Sequence, residues 1–435
     1  MRRSFLFLFL SFLLSLGVVA GEIRERLALL KDISAIEELS SEYYQEKYLV
    51  RITQPVDHKH PEAGSFTQRV VVCHVGLDRP TVVVTEGYGG GYALSPRYRE
   101  ELSGLLNANI VFAEHRYFLE STPEPLNWDY LTAENSAYDL HHIVATLRGL
   151  YTGQWISTGI SKGGQTTLIY RAFFPDDVAF SVPYVAPLCR GVEDGRHEGF
   201  LRKVGTRAER RKIEAFQTEI LKRKTSLLPR LEAFCREKEL TFGLPIAEIL
   251  DYCVLEYSFA FWQWGTPVSA IPPLESEDEQ LFKHLIDISG PDYFAENQPN
   301  GSFFVQAARE LGYYGYDVRP FRKYLTIQSA QGYLAKLMLP PGAGAIGFDP
   351  ALYEKIHHFL KENDPKIIYI YGEIDPWSAA HVPVFKKKKN SHFFFQARGS
   401  HRARISNMPE KIKAKILKQL DEWLDKSSPS NEGRL

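Results

Sequence analysis

The sequence predicts an α/β fold, a mostly parallel sheet with helices on both faces, interrupted by a long helical insertion. Three observations carry this. Between Tyr48 and Ala186, short β-branched or aromatic runs alternate with segments of helical period, the pattern of strands joined by crossover helices. From Cys189 to Asp349 the strand character lapses, and the chain becomes charged, irregular and mostly helical. Strand runs then return in "PKIIYIYG" and "SHFFFQA". The chain divides accordingly into a leader (1–20), a first part of the core (21–188), a helical cap insertion (189–349) and a second part of the core (350–435).

The leader "MRRSFLFLFLSFLLSLGVVA" has Arg2 and Arg3, an apolar stretch from Phe5 to Val19, and small Val18 and Ala20 before a cut. That is the layout of a secretory signal peptide. Its apolar run is shorter than the ~20 residues a spanning helix needs. Export to the periplasm or beyond is expected, with no stable membrane anchor after cleavage. "YLVRITQPVDH" and "FTQRVVVCHVG" read as strands separated by the turn-rich "KHPEAGS", and "PTVVVTEGYGGGYA" as a strand breaking into glycines. "ANIVFAEHRYF" is a further apolar run. "TAENSAYDLHHIVATLRGL" places Leu140, Ile143, Val144 and Leu147 on one helical face. "QWISTGI" is a strand leading into Ser161, "QTTLIYRAFF" a helix stopped by Pro175, and "VAFSVPYVAP" a buried strand. Within the insertion, "ERRKIEAFQTEILKRKTSLLPRLEAFCREKEL" spaces Ile213, Phe216 and Ile220 helically, and "IPPLESEDEQ" reads as a loop. "PEKIKAKILKQLDEWLDK" closes the core as an amphipathic helix, and "SSPSNEGRL" has the composition of a disordered tail.

Composition narrows the function. Lys plus Arg number 52 against 53 Asp plus Glu, so nothing calls for nucleic acid or an anionic membrane. The run Lys386–Lys389 reads as a solvated loop. The 27 Phe, 23 Tyr and 6 Trp supply a core and can also line a groove for an apolar substrate. In an exported chain Cys73, Cys189, Cys235 and Cys253 allow three disulfide pairings. Cys235–Cys253, within one helix-rich stretch, is the preferred pair, and four buried free thiols are the alternative. No cysteine has metal-ligand spacing, and neither metal nor organic cofactor is expected. Nothing in the sequence sets an oligomeric state.

The sharpest motif is Gly159-Ile160-Ser161-Lys162-Gly163, with a strand before the serine and a helix after it. That is the context of a nucleophile elbow, whose strained turn leaves no room for side chains beside the serine. Gly164 relaxes the constraint further. A serine hydroxyl needs a base, and the base an orienting carboxylate. In the order Ser, acid, His, "IIYIYGEIDPWS" delivers Asp375 after one late strand and "HFFFQARGSHRAR" delivers His401 after the next. Glu373 and Asp364 are weaker acids by position. His392, His381 and the His357–His358 pair are weaker bases. The backbone N–H of Lys162 is one expected oxyanion donor. The loop "EGYGGGYA" supplies the other, from Tyr88 or Gly89.

Together "TEGYGGG", "FAEHRYF", "GISKGGQT", "EYSFAFWQWG", "YGEIDPW" and "GSHRARI" resemble the secreted bacterial prolyl tri/tetrapeptidyl aminopeptidases of the PS-10 type. Those are serine peptidases distantly similar to the lysosomal Pro-X carboxypeptidase and dipeptidyl peptidase II group. The resemblance spans nearly the whole chain after the leader. It implies an α/β-hydrolase core with a helical cap, and release of short peptides from free N-termini, often after proline. By motif it assigns Ser161 as nucleophile, Asp375 as acid and His401 as base. Lys162 departs from the lysosomal relatives, which usually carry an aromatic there. An aminopeptidase must also hold the substrate ammonium, for which Glu86 and Glu310 are candidates. Glu114 could serve too, or could pair with Arg116. Phe261, Trp262 and Trp264 are candidate walls for a proline ring. An esterase or lipase on the same core, and an exported binding protein on a dead hydrolase fold, are the rival readings.

Overall fold

The computed structural model of the chain describes residues 21–425. The predicted leader and tail lie outside the described residues. A nine-stranded sheet organises the molecule, in the order β1-β2-β3-β5-β4-β6-β7-β8-β9. The first three strands, β1 (Ile33–Glu38), β2 (Glu46–Pro55) and β3 (Ser65–His74), run antiparallel, and β3 also pairs antiparallel with β5 (Asn109–Ala113). From β5 onward every pairing is parallel, through β4 (Thr81–Thr85), β6 (Trp155–Ile160), β7 (Phe180–Tyr184), β8 (Ile367–Gly372) and β9 (Ser391–Gln396). The strand order crosses at β5-β4-β6, and at such a reversal the carboxyl ends of the strands open a crevice for ligands.

Alternation along the strands sorts the two faces. Val70 and Val72 of β3 pack with α1 (Glu22–Ala28) and, through Leu140, Ile143, Val144 and Leu147, with α3 (Ala133–Arg148). Val71 and Cys73 turn the other way, toward α2 (Glu101–Leu106) and Ile416, Leu420 and Trp423 of α12 (Glu410–Asp425). The predicted apolar face of the α3 segment is therefore the buried one. β4, β5, β7 and β8 are buried along their whole length, which explains their continuous apolar runs. α1, β1 and α2 are elements that the sequence reading did not anticipate.

Between β7 and β8 the chain builds α5 (Arg196–Leu201), α6 (Arg207–Lys222), α7 (Lys224–Glu237), α8 (Ile246–Trp264), α9 (Asp278–Ser289) and α10 (Gly301–Gln306), and then α11 (Ala351–Glu362), a helix the sequence reading did not anticipate. The run predicted around residues 209–240 breaks at Arg223 into α6 and α7. A reciprocal cap opens α6, with Thr206 bonding the Glu209 N–H and Glu209 the Thr206 N–H. α8 is buried nearly all round, as its almost unbroken apolar sequence requires. Its Phe259 and Phe261 share one continuous apolar core with Tyr369 and Tyr371 of β8 and with Leu168 and Ile169 of α4 (Lys162–Phe173). No described helix is long and apolar enough to cross a membrane.

One expectation is corrected here. All four cysteines are buried free thiols, and the preferred Cys235–Cys253 bond is not made. Burial pushes the Cys235 thiol up to about 11 and the Cys73 thiol up to about 12, so both behave as small apolar groups. Lys386 to Lys389 lie in an exposed loop, where Lys388 Nζ closes on the carbonyls of Lys361 and Asn363.

Candidate active site

β6 ends at Ile160, α4 begins at Lys162, and Ser161 is the single residue between them. Its φ of 59° and ψ of −120° are a conformation that L-residues adopt only under constraint. The constraint is visible. The Ser161 N–H donates to Tyr184 O at 2.9 Å, and its carbonyl accepts from the Gln165 N–H at 2.9 Å. A Cβ added at Gly159 would lie 2.3 Å from Gly163 O, and one at Gly163 would lie 2.8 Å from Thr85 O. The glycines flanking the serine are a steric requirement of this turn.

Asp375 follows β8 directly, and His401 lies in the loop after β9. Gly372 brings these loops together, because a Cβ there would come within 2.3 Å of Ser400 O. His401 Nδ1 bonds Asp375 Oδ2 at 2.7 Å, and Asp375 Oδ1 accepts the Trp377 N–H at 3.1 Å. Both side chains are buried. The pair fixes the ring and leaves Nε2 as its free nitrogen. The cap holds this loop too: the His401 N–H donates to Gln263 O at 2.9 Å, and the Trp264 ring meets the imidazole edge-on at 6.0 Å. The rival acids are used elsewhere. Asp364 accepts the N–H groups of Lys389 and Asn390, and Glu373 that of Arg398.

Comparison with known proteins decides the family. Residues 18–431 match the family described as PS-10 peptidase S37. The chain belongs to it. A prolyl tri/tetrapeptidyl aminopeptidase from Streptomyces mobaraensis is 28% identical over 422 residues, covering 94% of this chain and 86% of that relative. Among solved structures, the proline iminopeptidase of Mycobacterium smegmatis is 13% identical, with a TM-score of 0.38 over 91% of this chain and 100% of that one. A proline iminopeptidase-related protein from Thermus thermophilus is 12% identical, with a TM-score of 0.35 over 90% and 98%. The S37 family makes this protein a serine peptidase, and its sheet is that of an α/β-hydrolase.

In this S37 peptidase the glycine loop after β4 is held by its own carboxylate. Glu86 Oε1 accepts the N–H groups of Gly87 and Tyr88 at 3.0 and 3.1 Å, and Oε2 the Tyr92 hydroxyl at 2.5 Å. The Tyr88 N–H is therefore occupied, which corrects its expected role as an oxyanion donor. The Tyr88 side chain takes a different position: its hydroxyl lies near that of Ser161. Phe118 and Phe303 brace the ring edge-on, at centroid distances of 5.9 and 5.4 Å. Gly89, the other expected donor, lies against Leu119, whose Cγ an added Cβ would meet at 2.9 Å. The Lys162 N–H heads α4, where the first turn leaves N–H groups free of intrahelical partners and the dipole favours negative charge.

The Lys162 side chain puts a buried amine beside the serine. It is buried, its Nζ donates to Gly87 O at 2.6 Å, and it lies 5.7 Å from the centroids of both the Tyr88 and Phe118 rings. Burial pulls its pKa from 10.5 down to about 7, against the opposing pull of Glu86 and Glu310. Below about 7 folded and unfolded chains both carry this proton, and above 10.5 neither does. Between those limits only the unfolded chain holds it, so stability rises with pH. Lys162→Met should lose that slope of ~1.4 kcal/mol per pH unit. Denaturant titrations of both proteins at pH 7.5 and 9.5 check this, since other ionisations cancel. The wild type should gain on the variant at the higher pH, and a constant gap would mean that Lys162 stays charged in the fold.

The remaining expected substrate contacts divide. Glu310 Oε1 accepts the Ala133 N–H at 2.6 Å and so caps α3, while burial pushes its carboxyl up to about 7. Glu86 and Glu310 are thus engaged with the loop, with α3 and with Lys162. Phe261 and Trp262 are packed into the cap core, and Trp262 also lines a cavity there. Trp264, 48% exposed beside His401, is the aromatic left facing the site. Glu114 pairs with Arg69, and Arg116 with Asp139, so the alternative Glu114–Arg116 pair does not form.

Proposed function

We propose that the protein is an exported exopeptidase that releases tri- and tetrapeptides, preferentially after proline, from free N-termini through an acyl-enzyme. The observation that carries the chemistry is the buried His401–Asp375 pair, 2.7 Å apart, at the same sheet end as the strained Ser161 elbow. Ser161 Oγ attacks the scissile carbonyl, and His401 Nε2 takes its proton and returns it to the leaving amine. Water, deprotonated by the same nitrogen, then opens the ester. Asp375 orients the imidazole and stabilises its charged form. The Lys162 N–H and the Tyr88 hydroxyl donate to the oxyanion. The peptide specificity draws support from the similarity to the Streptomyces aminopeptidase, and export from the leader.

One proline-containing peptide, supplied free, N-acetylated and C-amidated, tests the reading by mass spectrometry. Acetylation removes the substrate ammonium, and leaving its buried partner alone typically costs ~2–5 kcal/mol, so the loss should exceed tenfold. Amidation should change little. Shortening from the C-terminus, or rapid cleavage of the acetylated form, would overturn the aminopeptidase reading and leave the catalytic assignments standing.

A further inference from the structure

A carboxylate taken out of water needs a cation or N–H donors to hold its charge. Glu114, Asp139, Asp251 and Asp375 each face a cationic or imidazole partner. Glu86, Glu100 and Glu310 take backbone N–H groups. Glu256 on α8 is different. It is 5% exposed, and its Oε2 accepts only the hydroxyls of Tyr314 and Tyr316, at 2.9 and 2.8 Å. Among the described residues no cation and no N–H reaches it.

The cage around Glu256 adjoins the candidate active site. Trp377, two residues after Asp375, lies 5.3 Å from the Tyr314 ring and 5.4 Å from that of Tyr313. On the serine side, ring contacts step from Tyr88 to Phe303 (5.4 Å), Phe303 to Tyr313 (5.6 Å) and Tyr313 to Tyr314 (4.4 Å). These three steps are on the scale of an extended tri- or tetrapeptide at ~3.3–3.6 Å per residue. The cage also borders open space, since Tyr316 lines a cavity of about 220 Å³ in the cap. A π-helical turn at Ala307–Leu311 leads into the Tyr313–Tyr314 segment, a distortion frequent at functional sites.

We infer that Glu256, in its tyrosine cage, receives the α-ammonium of the bound peptide while the peptide chain runs along this aromatic wall to Ser161. The inference rests on the aminopeptidase reading above. An ammonium supplies the cation that the cage lacks, and the two hydroxyls hold the carboxylate in place. Burial pushes the empty carboxyl up to about 8, so the cage can close over a neutral acid and ionise when the cation arrives.

The test is Glu256→Gln, with kcat and KM measured on one proline-containing peptide in free and N-acetylated forms. Labelling of Ser161 by a small phosphonate reports that the site is intact. Wild type should prefer the free peptide by more than tenfold, and the variant should lose most of that preference, with KM for the free form rising about tenfold or more. A variant that keeps the wild-type preference overturns the inference alone. A wild type without any preference overturns the aminopeptidase reading as well. If Glu256→Gln fails to fold, Tyr316→Phe keeps the ring and removes one of the two hydrogen bonds. A several-fold fall in preference is expected of it, and an unchanged ratio overturns the inference.

Discussion

Ser161→Ala is expected to cut peptide turnover by about 10⁴–10⁶-fold while leaving the fold intact, as removal of a triad nucleophile does. The backbone bonds of Ser161 to Tyr184 and Gln165 survive the change. A companion variant separates chemistry from strain. Ser161→Gly should be equally inactive yet more stable than Ser161→Ala by ~1 kcal/mol or more, because glycine accepts the positive φ without penalty. Steady-state assays and thermal melts on the three proteins check both statements. Turnover above a tenth of wild type in Ser161→Ala would remove the serine from its role, and equal stability of the two variants would show an unstrained elbow.

What was legible in the sequence was local. The glycines around Ser161 reflect backbone contacts shorter than a Cβ allows, so the elbow announced itself by residue type. Asp375 and His401 are legible as a pair because each follows a late strand, and the parallel sheet brings those strand ends together. Side-chain partners across the fold were less visible. Glu86 is a candidate for the substrate ammonium by position, yet it folds back on its own loop, a contact decided by the turn's shape. Phe261 and Trp262 are candidate walls by residue type alone, because aromatics suit both pocket and core, and packing puts Phe261 in the core while Trp262 also borders the cap cavity. α1 and β1 escaped notice because β1 is an edge strand without a fully buried residue, so its alternation is weak. Glu256 carried one signal, a lone acid in the nearly apolar run "EYSFAFWQWG". Its tyrosines come from more than fifty residues later in the chain.

Tyr88→Phe is expected to lower kcat by about 10²–10³-fold with little change in KM, the usual effect of removing one oxyanion donor. Most backbone donors of the glycine loop are already spent. Glu86 takes the N–H groups of Gly87 and Tyr88, and Glu114 takes that of Gly90 at 2.7 Å, so three donors of the glycine loop face carboxylates. The Tyr88 hydroxyl, by contrast, takes no carboxylate partner and lies near the Ser161 hydroxyl. When the tetrahedral oxyanion forms, a donor so placed need not reorganise, which is the source of its worth in a water-excluded site. The selective loss in kcat follows because the ground-state carbonyl carries less charge than the oxyanion. Phenylalanine keeps the edge contacts with Phe118 and Phe303, so thermal stability should hold and phosphonate labelling of Ser161 should slow in parallel with turnover. Full activity in Tyr88→Phe would return the second donor to the loop backbone at Gly89, while a rise in KM alone would make Tyr88 a wall of the substrate site.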